Sequence, residues 1–207
     1  MEHHAAAEHL QVIRTLMERS ALYRRTLAPI MLYVGSVGTL ACAGGIAMGI
    51  EGLRPFGAWW LGAALVAITG AFVIARRQAL RDGEPFWSPP TLRVAEAMFP
   101  PLAGGMILSV ATMIATDMGE FRVLLVFPDA LFYGCAVHAA GFFMPRGMKL
   151  FGWLIIALTG ATLLFLVLAQ PAAAPRLDHA FMGALFGLMH LAYGVYLYLT
   201  DRRKASA

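Results

Sequence analysis

Leu150-Phe-Gly-Trp-Leu-Ile-Ile-Ala-Leu-Thr159-Gly-Ala-Thr-Leu-Leu-Phe-Leu-Val-Leu-Ala169 is an almost unbroken apolar run. It is twenty residues long and carries no charge. At 1.5 Å per residue a helix of that length covers about 30 Å, the thickness of a bilayer's hydrocarbon core. It shows no alternation of polar and apolar residues, so it does not read as a barrel strand. A helix satisfies its own backbone bonds in lipid, and an isolated strand does not.

Five more stretches of the same kind lie at residues 27–49, 57–75, 97–116, 123–143 and 179–199. Of the 207 residues, 59% are hydrophobic and 14% charged, and the charges crowd into the short segments between the apolar runs. The expectation is an all-α integral membrane protein, a bundle of six transmembrane helices over residues 27–200. Residues 201–207 read as a tail. The lipid bilayer is then the first partner. The net charge of +4 does not point to nucleic acid, because the cations flank hydrophobic segments, where orientation and anionic headgroups account for them.

The cations also set the orientation. Arg14, Arg19, Arg24 and Arg25 precede the first run, and Arg76, Arg77, Arg81 and Arg93 lie in the second connection. Arg146 and Lys149 lie in the fourth, and Arg202, Arg203 and Lys204 in the tail. Only Arg54, Arg122 and Arg176 fall on the opposite side. The positive-inside rule puts both termini in the cytoplasm, in a bacterial-type inner membrane. Residues 5–26 carry Leu10, Ile13 and Met17 at helical spacing with arginines on the flanks. They read as an interfacial amphipathic helix within a 1–26 cytoplasmic segment, and as a docking point for a cytoplasmic protein.

An internal repeat is suggested. Gly62–Ala71 aligns without gaps to Gly152–Ala161, sharing the Thr-Gly-Ala endings at 69–71 and 159–161. The first and fourth runs each place a glycine six residues after a proline, Pro29 with Gly35 and Pro128 with Gly134. Two three-helix units of inverted topology are a plan used by transporters. Pro100, Pro101 and Pro128 fall inside helices and are expected to kink them. Thr91 is expected to cap the third helix just after Pro89 and Pro90.

Ionisable groups in hydrocarbon are costly and are default functional candidates. Here they are His138 and His190, with Asp129 near the outer end of the fourth run and Glu96 near the inner end of the third. Gly183, Gly187 and Gly194 share a stripe with His190, and Gly134 and Gly141 with His138, so both histidines are expected to face protein. Tyr193 follows His190 by one turn. Asp129 and His138 lie on opposite faces of their helix. His138, His190, Tyr193 and Asp129 are therefore the candidates for a cavity or pathway. His138 and His190 are also the candidates for holding a metal or a haem b. Their depths, about 24 Å and about 18 Å from the outer surface at 1.5 Å per residue, differ by about 6 Å, which disfavours a shared haem.

Cys42 and Cys135 read as small buried hydrophobes. His3, His4 and His9 read as a solvated terminus. Trp59 and Trp60, with Tyr196 and Tyr198 at the opposite end, read as interface anchors. No Walker loop, dinucleotide glycine pattern, nucleophile elbow or His-Glu-x-x-His points to an enzyme. Three functions are left standing. One is a small transporter with a cavity between its halves. The second is a membrane-anchored sensor or partner protein. The third is a haem- or metal-bearing redox protein. The small-residue stripes serve internal packing or a homodimer equally well.

Overall fold

A computed structural model describes residues 27–83, 85–114, 123–144, 146–169 and 175–205. The amphipathic segment 5–26 and Arg122 lie outside the described residues. Six helices follow in order: α1 (Leu27–Ala47), α2 (Leu53–Arg81), α3 (Pro89–Ile114), α4 (Val123–Ala140), α5 (Arg146–Ala169) and α6. The last opens as Pro175–Met182, passes through a π-helical segment, Gly183–Leu188, and continues as Met189–Ala205. No strand occurs among the described residues. Five helices, all but α4, are long and apolar enough to cross a membrane. The fold is a helical bundle of the membrane type.

Hydroxyls inside these helices are mostly satisfied locally. Ser36, Thr39, Thr112, Thr162 and Thr200 each donate to the carbonyl four residues back, at 2.7–2.8 Å. A polar side chain can thus sit in an apolar surrounding without leaving a donor bare.

The α1–α2 connection is a tight glycine turn. Gly49 holds φ +60°, a conformation open to glycine at little cost. Ile50 N–H reaches back to Gly45 O at 3.0 Å, closing the end of α1 in the manner of a Schellman cap. α2 lies along α1 through two bonds, Trp59 Nε1–H to Ala41 O at 2.8 Å and Tyr33 O–H to Val66 O at 3.1 Å. Arg54 at the start of α2 donates to Met113 O near the end of α3, at 3.0 Å.

α3 begins earlier than the capping reading placed it. Pro89 and Pro90 form its first turn, where a missing N–H is no loss. Ser88 precedes them and exchanges a hydroxyl bond with Thr91 at 3.0 Å. The helix continues through Pro100 and Pro101, and α4 through Pro128. Phe86 and Trp87 in the preceding loop fold back on Phe72 of α2, with Phe72–Phe86 at 4.7 Å and Phe72–Trp87 at 6.4 Å.

α1 and α6 approach closely. A Cβ on Gly38 would lie 2.5 Å from the Phe186 carbonyl, and one on Gly187 2.8 Å from Thr39 N. Gly35, Gly183 and Gly194 sit against the facing helix in the same way. The stripe read from the sequence on α6 is therefore a helix–helix seam, and its partner is α1. α4 and α5 meet similarly, with Gly152 against His138 N and Gly141 against Lys149 N. The segments aligned as a repeat sit differently. Gly62 and Gly160 have open space around them, whereas Gly152 and Gly70 are tightly covered, by α4 and by the Tyr33 ring.

Two apolar clusters fill the bundle. One gathers Leu27, Met31, Val137, Phe151, Ile155 and Leu197. The other gathers Ala41, Phe56, Trp60, Phe127 and Met182. Their separation along α6 frames the polar groups between and beside them.

Candidate functional site

His190 is fully buried at the seam where α6 returns from π to α spacing. Met189 N–H bonds Ala184 O, five residues back. With α spacing resumed directly afterwards, the ladder steps over one carbonyl. His190 Nδ1 lies 2.9 Å from the carbonyl of Leu185. A carbonyl only accepts, so Nδ1 carries the proton. Nε2 is then an acceptor, and it takes the Tyr133 O–H at 2.7 Å. The neutral imidazole has both nitrogens in use. Phe151 stands perpendicular to the ring at 5.0 Å, and Phe186 lies nearly parallel at 6.3 Å.

His179, earlier on the same helix, repeats this arrangement with different partners. Its Nε2–H donates to Ile50 O, the carbonyl presented by the glycine turn, at 2.9 Å. Its Nδ1 accepts the Trp60 indole N–H at 3.1 Å. Phe56 packs on it at 4.8 Å, and a Cβ on Gly45 would meet the ring at 2.4 Å. The residue is 1% exposed. Trp60 is therefore a buried hydrogen-bond donor, which corrects its reading as an interface anchor. Trp59 is half-buried and also donates inward.

Asp129 accepts from Ser109 Oγ on α3. His138 turns the other way, toward α5, so the opposition of those two faces holds. It is partly exposed, flanked by Phe142 and Trp153, and its Nδ1 is 3.4 Å from Lys149 O. That distance makes a weak bond. Among the described residues His138 and His190 have no ring neighbour in common. Tyr193 stacks on Phe151 at 4.9 Å and 15°, beside His190. Glu96 is exposed on α3, in an open groove with Ala95 and Phe99.

Of the four pathway candidates, the bundle brings His190 and Tyr193 together around Phe151. It leaves His138 on the flank and gives Asp129 to α3. Sequence reading missed Tyr133, His179, Trp60 and Ser109 as polar partners. Tyr133 follows Asp129 by one turn, so that signal was present. His179 stands beside Asp178 at the start of an apolar run, and nothing local marks it as buried. Thr159, in the motif aligned as a repeat, is 1% exposed, and its hydroxyl has no hydrogen-bond partner among the described residues.

Among the described residues no group of three or more His, Cys, Asp or Glu side chains gathers as a metal site. A haem on His190 would need Nε2 released from Tyr133, or Nδ1 from Leu185. Compared with known protein families, characterised proteins and solved structures, the chain matches none.

Proposed function

We propose that this chain is a six-span inner-membrane protein with both termini in the cytoplasm, and that it serves as a membrane-anchored partner for a cytoplasmic protein rather than as a conduit. The observation that carries this is the closed state of its polar interior. His190 and His179 are both buried, and each commits both ring nitrogens to neighbours inside the bundle. A side chain lining a hydrated path keeps a donor or acceptor toward that path. The α1–α6 seam supports the same reading, because a rigid backbone contact there opposes the rocking that alternating access requires. The working surface then lies outside the core, and the segment 5–26, with its arginines and helical spacing, is the proposed docking element. The crossing of α4, 18 residues long, completes the even number that keeps both ends on the Lys/Arg-rich side.

The test is site-specific photo-cross-linking from positions within 5–26 in intact membranes. Discrete adducts to one cytoplasmic protein, absent when 5–26 is deleted, are the expected result. Cross-links only to lipid or to this chain's own helices would defeat the reading. Cysteine labelling at 51 and at 204 from the two sides of the membrane tests the topology independently.

A second reading, a small permease, draws on the half-buried carboxylate Asp129, its Ser109 partner and the Thr159 hydroxyl, unpartnered among the described residues. The inverted repeat belongs to this reading, and the unequal glycine environments weigh against it. Proteoliposomes that pass protons or a small solute, and lose that flux in Asp129→Asn, would favour it. A third reading, a haem b on His190 or His138, predicts a Soret band in the purified protein.

A further inference from the structure

α4 and α5 meet across the turn that begins at Gly141, and four side chains collect on its flank. The Lys149 ammonium stands 3.6 Å from the centre of the Phe142 ring, a cation–π contact. The His138 ring sits edge-on to Phe142 at 5.4 Å and to Trp153 at 5.3 Å. Trp153 follows Lys149 by one helical turn, so both lie on one stripe of α5. Phe142 is 62% and Trp153 56% exposed. The backbones beneath are locked, because Gly141 and Gly152 leave no room for a Cβ between α4 and α5. The cluster is thus held by fixed helices, and it faces outward.

Its place narrows what it can bind. It lies where two apolar helices end, at the level where hydrocarbon gives way to water. Flexible lysines reach for that level, and tryptophan prefers it. The cluster offers an ammonium, an indole N–H and exposed aromatic faces, with Leu150 beside them, 73% exposed. An ammonium and an indole donor together suit a phosphodiester, and the apolar surface suits the chains attached to it. A zwitterionic headgroup would bring its own cation toward Lys149. An anionic one would not.

We propose that this flank binds the phosphate headgroup of an anionic phospholipid, with Lys149 and Trp153 as the donors and His138 and Phe142 as positioning residues. The site needs only that α4 and α5 lie in a membrane. It is independent of any cytoplasmic partner.

The test uses the purified full chain in mixed micelles of phosphatidylglycerol and phosphatidylcholine, with native mass spectrometry counting the lipids retained. The wild-type chain is expected to keep phosphatidylglycerol in preference. Lys149→Gln should lower that preference about fivefold, the worth of one lysine near an anionic surface. Trp153→Phe should lower it as well, while Lys149→Arg keeps it. Both altered positions are on the outer flank, and a thermal melt of each variant confirms folding. No preference in the wild type, or an unchanged preference in both Lys149→Gln and Trp153→Phe, overturns the proposal. So does displacement of the lipid by millimolar inorganic phosphate, which would make the site one for the free ion.

Discussion

The Tyr133 hydroxyl on α4 and the His190 Nε2 on α6 meet at 2.7 Å, at a histidine with no exposed surface. The bond joins two helices that also meet through Phe127–Phe181 and Tyr133–Phe186 ring contacts, and it fixes the imidazole tautomer from one side while Leu185 O fixes it from the other. Tyr133→Phe removes the donor and leaves Nε2 bare. A hydrogen bond between membrane helices contributes about 0.6–1.7 kcal/mol. The variant should melt at a lower temperature in detergent by a corresponding amount. In a double-mutant cycle with His190→Leu, most of that loss should vanish. Full additivity of the two changes would show that the bond contributes nothing.

The α1–α6 seam gives a contrast between glycines. Gly38→Ala and Gly187→Ala each place a methyl within 2.5–2.8 Å of backbone atoms, so the helices must separate. The expected cost is about 1–3 kcal/mol. Gly62→Ala and Gly160→Ala meet nothing within 4 Å, and should be neutral or stabilising by up to about 1 kcal/mol, since alanine is the better helix former. Thermal stability in one detergent checks all four. Equal effects across both pairs would remove the seam as a stabilising feature.

The His179 clamp ties the α1–α2 turn to α6 through Ile50 O. Trp60→Phe takes away the N–H that fills Nδ1, and the ring is then free to release the turn. Hydrogen exchange at the amides of residues 48–52 should accelerate, with little change in α4 or α5. Unchanged exchange in that turn would mean that the glycine cap alone holds it.

Ser109→Ala deprives Asp129 of the hydroxyl that serves it on α3. An unserved polar group away from water costs about 1–3 kcal/mol. Ser109→Thr keeps the hydroxyl and should recover part of the loss. A Ser109→Ala protein as stable as the parent would imply that water already reaches the carboxylate, and would favour the permease reading.

The sequence made the helices legible because apolar length is a direct consequence of bilayer thickness. Residues 150–169 needed no other information. The glycines of α6 were legible as a seam for the same kind of reason, since their spacing follows from helix geometry alone. Their partner was not, because spacing on one helix says nothing about which neighbour covers it. His190 stood out as a charged-type residue in an apolar run. His179 did not, because it lies at an element's edge, where burial depends on the α1–α2 turn folding over it.

The π segment between the two buried histidines has a further consequence. Eleven residues of unbroken α-helix would return His179 and His190 to nearly the same azimuth, about 20° apart. In this bundle His179 aims at Trp60 on α2 and His190 at Tyr133 on α4. The π segment stores one residue beyond what α winding needs, and so rotates everything after it by about 100°. The two halves of α6 are therefore aimed separately, like two keys cut on one shank. Removing a single residue from 183–188 would re-aim the second half while leaving the first in its lock.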